Sequence, residues 1–412
     1  MDDMNRRISL DFSKDEKTIR AELAAYFPDL DEEQFLQWQQ SQKLENRLIN
    51  GERRFFRNAV PNLFRVDSVA HQAKLKVDGP DSSTLPAFRL QHTQNLLNEL
   101  KATGTFEPKQ FEITFTLTVD ADAVPAGETL RCWLPFPRVA PPRQTNVELH
   151  KTSQDNYQLA DNRQLQRNLY MEQKALAKTP TKFSYTASFE TLPAYFNLNQ
   201  LSVESYHTND SLFQHYTSER PPHIVFSQRM QDLADSIVGD SIDPIEKVQK
   251  IYYWINRHIP WVSALEYSTF ECIPAYVLDH QKGDCGMQTL LFMTLARIKG
   301  IPCKWQSGWM LHPGNKNLHD WCEVYYEGIG WVPLDQSFGL QNTQNQQLRD
   351  FYINGMDRYR LIFNDDFSQD FNPQKAYSRS EPIDFQRGEV EWKNGNLYFD
   401  QWTYSLVVKE LN

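Results

Sequence analysis

Over the first hundred positions apolar residues recur every three or four places, the period of helices with one buried face. Ile19, Leu23, Tyr26 and Phe27 follow Ser13 and Glu16, which fit a capping box. A second helix starts near Asp31 and carries Phe35, Trp38 and Gln42. Asn50-Gly51, between two short runs, predicts a hairpin. Residues 77–84 read as a loop and 90–102 as a further helix. From 105 onward the period changes to two. Residues 111–119 alternate apolar with polar, 130–136 and 183–189 repeat that pattern, and the proline-rich stretch 135–142 can only be a loop. Short alternating strands of this kind predict a β-sandwich.

Beyond 231 the two periods mix. Ile245, Val248, Ile251, Tyr252 and Ile255 form a helical stripe that Asp243-Pro244 opens and Pro260 stops. Residues 284–299 predict a second helix with Met287, Leu290, Leu291, Leu295 and Ile298 inward, ended by Gly300 and Pro302. Strands follow at 303–310, 319–326 and 331–335, and weaker strand-like runs at 396–399 and 403–408. The expected fold is α+β in four parts. Residues 1–104 are a mainly helical region with a hairpin and 105–230 a β-sandwich-like domain. Residues 231–345 are a catalytic core with a helix-start cysteine packed on an antiparallel sheet, and 346–412 a C-terminal β extension packing on that core.

Composition narrows the function classes. The 412 residues carry 43 Lys and Arg against 53 Asp and Glu, a net charge of −10, which gives nucleic-acid binding no electrostatic footing. No apolar run reaches the ~18 residues of a transmembrane helix. The polar first ten residues show no signal peptide, so the default expectation is the cytoplasm, with the periplasm or exterior as the alternative for a processed chain. There are five cysteines, an odd number, with no Cys-x-x-Cys pair. Cys272, Cys303, Cys322 and His312 are too irregularly spaced to predict a metal site, and no cofactor is implied.

One cysteine has a chemical context. Gly283-Asp284-Cys285-Gly286 puts Cys285 in the first turn of a helix, where unpaired N–H groups and the helix dipole favour a thiolate, although Asp284 opposes it. His319 opens a strand and can serve as base, then as acid to the leaving amine. Asp335 ends the next strand and can orient His319. A simple register about the 327–330 turn sets Asp335 opposite Cys322, three residues past His319, a gap that a bulge or twist must close.

Residues 243–338 resemble the core of the transglutaminase-like superfamily, which shares Cys-His-Asp logic with papain-type enzymes. The motifs are GDCGMQ (283–288), RIKGIP (297–302), HDWCEVYY (319–326) and GWVPLD (330–335). The resemblance implies nucleophile Cys285, base His319 and orienting acid Asp335. It implies thioester chemistry on a peptide, protein or peptide-like amide. Hydrolysis is favoured over cross-linking in relatives of bacterial type, with transamidation, deamidation and a non-catalytic peptide-binding module as alternatives. Trp261 is a candidate oxyanion donor or a core aromatic, and the backbone N–H of Cys285 is the safer donor. Trp309 and His312 are candidates for the cleft wall. Asp320 departs from the family pattern, where many relatives carry a small residue after the histidine. The other four cysteines are expected to be unreactive core residues.

Overall fold

The computed structural model describes residues 2–411. The fold is α+β. In the N-terminal region the helices up to Ser68–Asp78 and the hairpin Asn46–Ile49/Glu52–Phe55, whose turn residues Asn50 and Gly51 have φ of 52° and 82°, share one core, while helix Leu85–Thr103 packs against Met310, Phe338 and Tyr352. The first periodic helix begins later than the capping box implied. Asp15, not Ser13, caps Glu16–Leu23 by accepting the Thr18 N–H at 2.8 Å. Helices Ala59–Val66 and Ser68–Asp78 were not singled out by the pattern, and Gln42 lies beyond the end of Glu32–Gln40.

The sandwich forms as alternation predicts. Along Lys109–Val119 the residues Phe111, Ile113, Phe115, Leu117 and Val119 all point into one core, shared with Leu130, Cys132 and Leu134 of the facing sheet. Its composition differs from the expectation. Of residues 346–412, only Arg360–Asn364 joins the sheet of the 231–345 region, while Glu389–Trp392, Gly395–Leu397 and Trp402–Leu411 complete the two sandwich sheets. The reason lies in edges. Lys109–Val119 pairs with Thr181–Thr191 on one side, and without Trp402–Leu411 along the other it would be an open, strongly apolar edge. After Thr191 the chain leaves the sandwich, Ala194–Tyr195 pairs with Gly355–Met356, and helix Gln228–Val238 already packs on the core.

The core sheet runs in the order Gly330–Leu334, Asn317–Tyr326, Cys303–Met310, Arg360–Asn364, all antiparallel. Helices Pro244–His258 and Cys285–Ile298 pack on one face of it. The second is buried on nearly every side from Gly286 to Arg297, which explains its almost continuous apolar run. The register needs no bulge to serve His319. Cys322 pairs with Leu334, so Asp335 falls opposite Trp321, one step from the simple register. Because side chains alternate with period two, that single step moves Asp335 onto the face that carries His319 and Trp321.

A bulge does occur on the other side of the sheet. The pairing of Cys303–Met310 with Arg360–Asn364 shifts between Ser307 and Gly308. At 308 a Cβ would overlap the carbonyl oxygen of Leu361, so only glycine allows the two backbones to approach. Gly308→Ala is therefore expected to lower unfolding free energy by about 1–3 kcal/mol in urea titration. A change below 0.5 kcal/mol would show that the strand accommodates the methyl group.

Candidate active site

Asp284 caps the Cys285–Ile298 helix by accepting the Met287 N–H at 3.1 Å, and this sets Cys285 at the first helical position. There its backbone N–H has no acceptor among the described residues, the ordinary state of a first-turn amide. The side chain is partly exposed. It opens into a cavity of about 410 Å³ whose walls include Trp261, Met310, Ser337, Phe338 and His319. The cavity thus brings together Cys285, His319 and Trp261. Trp261 is held there by a backbone bridge to Gly283, with Arg65 4.7 Å above its ring.

His319 is buried. Its Nε2 lies 2.7 Å from Oδ2 of Asp335, and its ring packs 4.7 Å from Phe338. Asp335 is fully buried. Its Oδ2 also forms an ion pair with Arg360, Nη2 lying at 2.8 Å, and its Oδ1 accepts the Phe338 N–H at 2.9 Å. Burial alone would raise this carboxyl, but His319 and Arg360 outweigh it and hold Asp335 down at about 2. With Asp335 ionised, His319 places its proton on Nε2, which leaves Nδ1 with the free lone pair. Burial lowers the affinity of His319 for a second proton, and Arg360 adds to this, against the opposing pull of Asp335. The resting imidazole is neutral.

The thiol behaves differently from the expectation. Among the described residues no hydrogen bond joins Cys285 to His319; Sγ instead lies 3.3 Å from Oδ2 of Asp320. Strand alternation explains this. His319 and Trp321 point to one side of Asn317–Tyr326, while Asp320 points with Cys322 and Val324 toward the cysteine helix. Gln386 fixes Asp320, donating to Oδ1 at 2.7 Å and to the His319 carbonyl at 2.9 Å. Tyr267 donates to Asp284 at 2.5 Å. A Cβ at Gly286 would overlap the Tyr267 hydroxyl, so glycine there lets Tyr267 and Asp320 close around the sulfur. Burial, then Asp320 and then Asp284 push the Cys285 thiol well above its ordinary value. Asp284 is itself raised by burial to about 6, and Asp320 is raised well above the usual carboxylate range by burial and by Asp284. The resting state is a thiol beside a neutral imidazole.

Trp309 does not line the cavity. It is buried in the sandwich core, its ring 6.4 Å from Phe115, and its Nε1 donates to the Gln386 carbonyl. It projects away because it alternates with Met310, which does face the cavity. His312 is also buried, 3.2 Å from Asp357. All five cysteines are free; Cys132, Cys303 and Cys322 are buried as expected, whereas Cys272 is partly exposed at the start of helix Ile273–His280. Among the described residues no three His, Cys, Asp or Glu side chains are arranged to hold a metal ion, and no helix is long and apolar enough to cross a membrane. Arg360 and Gln386 had no local signal in the sequence. Asp320 did, since a strand that sends His319 one way must send its neighbour the other.

Residues 231–336 match the family model described as the transglutaminase-like superfamily. YebA, an uncharacterized protein of Bacillus subtilis, is 23% identical over 153 residues, 32% of this chain and 20% of that protein. An uncharacterized protein of Haemophilus influenzae is 24% identical over 142 residues, 28% of this chain and 38% of that protein. The chain therefore spans well under half the length of these curated relatives. The crystal structure of a candidate cysteine protease from Cytophaga hutchinsonii superposes with a TM-score of 0.49 at 15% identity, covering 74% of this chain and 92% of that one.

Two outcomes follow from the charges. Alkylation of Cys285 by iodoacetamide, resolved from Cys272 by peptide mapping, should have an alkaline midpoint. In Asp320→Asn that midpoint should fall by about 1–3 pH units; an unchanged or higher midpoint would contradict the account of the thiol. Asp335→Asn strands a buried guanidinium and should cost about 3–5 kcal/mol of stability at pH 7. Asp335 is depressed in the folded state, so its contribution is complete above its unfolded value, near 3.8, and fades as pH falls toward 2. The gap between wild type and variant in urea melts should therefore narrow over that window.

Proposed function

Residues 231–336 form a transglutaminase-like core, and we propose that through it the protein works as a cysteine-dependent acyl-transfer enzyme on peptide or peptide-like amides. Cys285 is the nucleophile, His319 the general base and acid, and Asp335 the group that orients His319. The observation that carries this reading is the buried His319–Asp335–Arg360 array. It holds an ionised carboxylate against one ring nitrogen of a neutral imidazole at the wall of the cavity that Cys285 enters.

In the first step the Cys285 side chain leaves Asp320, and its S–H proton passes to Nδ1 of His319 as sulfur attacks the carbonyl carbon. Proton transfer coupled to attack suits a thiol and a neutral imidazole better than a preformed ion pair does. The Cys285 N–H, at the positive end of the helix, supports the oxyanion, with Trp261 as a candidate second donor. The imidazolium, stabilised by Asp335, protonates the departing amine, the C–N bond breaks and a thioester remains. Water then attacks the thioester, giving its proton to His319, and the tetrahedral species expels the thiolate, which takes that proton back. The carboxylic acid is released and the thiol restored. An amine in place of water would give transamidation, and a glutamine side chain as donor would give deamidation.

A second reading, a non-catalytic peptide-binding module, is favoured by one observation: the thiol is bonded to Asp320 rather than to the base. A peptide library incubated with the protein, with and without added amine and followed by mass spectrometry, separates these readings. Hydrolysis adds the mass of water across a cleaved bond, and transfer appears only with the amine. Cys285→Ala should abolish both, and His319→Ala should lower the rate about 10²–10⁴-fold. Full activity in Cys285→Ala, or no conversion of any peptide by wild type, would defeat the acyl-transfer reading.

A further inference from the structure

The cavity above Cys285 is charged in the opposite sense to the chain around it. The protein has ten more acidic than basic residues, yet no Asp or Glu lines this cavity, while Arg89 and Lys316 do. Neither cation makes an ion pair among the described residues. Arg89 reaches the cavity from helix Leu85–Thr103. Its Nη1 donates to the Phe338 carbonyl at 3.0 Å, its guanidinium sits 4.2 Å over the Phe338 ring, and its Nε is buried without a partner. Lys316, on the exposed turn that leads into His319, donates only to the Leu406 carbonyl at 3.1 Å. A carbonyl oxygen and a ring face hold these cations in place without neutralising them.

From this arrangement we infer that the cavity takes an acyl donor bearing a carboxylate close to the scissile amide, with Arg89 and Lys316 as its counter-charges. The inference rests on the acyl-transfer reading for the identity of the donor, but the charge pattern is independent of catalysis. Guanidinium–carboxylate hydrogen bonds are short and strong, and with Nη1 on the Phe338 carbonyl and Nε buried, Arg89 keeps Nη2 for a carboxylate oxygen. Asp284 and Asp320 lie on the helix side of the sulfur and neither lines the cavity, and burial holds Asp320 well above the usual carboxylate range. Asn315 and Asn317 flank Lys316 with neutral donors and acceptors, so the rim adds no negative charge. The carboxylate can belong to a chain terminus one or two residues from the bond, or to an acidic side chain beside it. Either presents the same group to Arg89 and Lys316.

Binding to Cys285→Ala protein tests this without requiring turnover. The probes are N-acetyl tripeptides of alanine as the free acid and as the C-terminal amide, and amides with Glu or Gln at the central position, titrated by calorimetry at low and high salt. The free acid, the Glu peptide or both should bind about tenfold or more tightly than the uncharged counterparts, and the difference should shrink in salt. Which of the two gains identifies the source of the carboxylate. The preference should fall toward unity in Arg89→Gln and in Lys316→Gln, and return in part in Arg89→Lys. Lys316 sits on an exposed turn, so its variant guards against a folding effect at Arg89. Equal binding of charged and uncharged probes, a preference untouched by both variants, or no binding of the acids would overturn the inference. Wild-type turnover separates the two claims. Equal cleavage of acids and amides leaves acyl transfer standing and removes the charge preference. Selective binding of acids with no cleavage or transfer of any probe does the reverse.

Discussion

The Asp335 carboxylate is the constraint on which the rest of the core depends. An ionised group with no solvent contact is tolerable only when its oxygens have partners, and the partners of this residue come from five separate stretches of chain. His319 and Arg360 share Oδ2, the Phe338 N–H takes Oδ1, the Tyr252 hydroxyl donates to the backbone carbonyl, and the backbone N–H donates to Tyr352. The helix Pro244–His258, the strand carrying His319, the loop after Gly330–Leu334, the turn Phe351–Ile353 and the strand Arg360–Asn364 must therefore all be in place before the site exists. Gly308 matters for this reason: it lets the strand bearing Arg360 come close enough for its guanidinium to reach the carboxylate. The same ionisation fixes the proton of His319, so the group that organises the fold also selects the nitrogen available for chemistry.

Much of this was legible in local pattern. The helix with Cys285 at its start, the strand beginning near His319 and the strand ending at Asp335 all declare themselves through periodicity and turn residues, because each buries one face or all faces against a neighbour in the chain. The pairing register was nearly legible, but a shift of one residue about a glycine turn costs little locally and reverses which face a side chain occupies. That step decides whether Asp335 can meet His319, and only the packed sheet settles it. Arg360 and Gln386 were not legible, since neither belongs to a motif and both act across distances in sequence that no local pattern spans. Trp309 was misplaced for a related reason. The strand expected at 303–310 includes Trp309, but alternation alone does not say which of its two faces meets the cavity, and the packed sheet turns Trp309 into the sandwich.

The C-terminal chain links the sandwich to the site. Arg360–Asn364 completes the core sheet and Glu389–Trp392 enters the sandwich, so the residues between them must cross from one layer to the other. That crossing brings Gln386 beneath His319 and Asp320, and Glu381 and Asp384 into the same buried acidic cluster. Arg387 balances this cluster by pairing with Glu381 at 2.6 Å and with Glu266 at 2.7 Å. Burial together with Glu381 and Asp320 holds Asp384 above its ordinary range. The sandwich is therefore coupled to the electrostatics around Cys285, because the strands that close its edges cannot reach it without laying this segment against the site.

The position of Asp320 then bears on how such a site can work at all. A thiolate formed in advance would lie beside the carboxyl groups of Asp320 and Asp284, whose repulsion of it grows as they ionise. Keeping the sulfur protonated avoids that cost and gives Asp320 a hydrogen bond it would otherwise lack. In the proposed reaction, activation is then local in time: the proton leaves only when an electrophile stands close enough for negative charge to pass from sulfur to the carbonyl oxygen, away from the two acids and toward the helix N-terminus. A cavity wall of Arg89 and Lys316 favours charge moving in that same direction. The two halves of the site, acidic behind the sulfur and cationic in front of it, thus act on the reaction with the same sign.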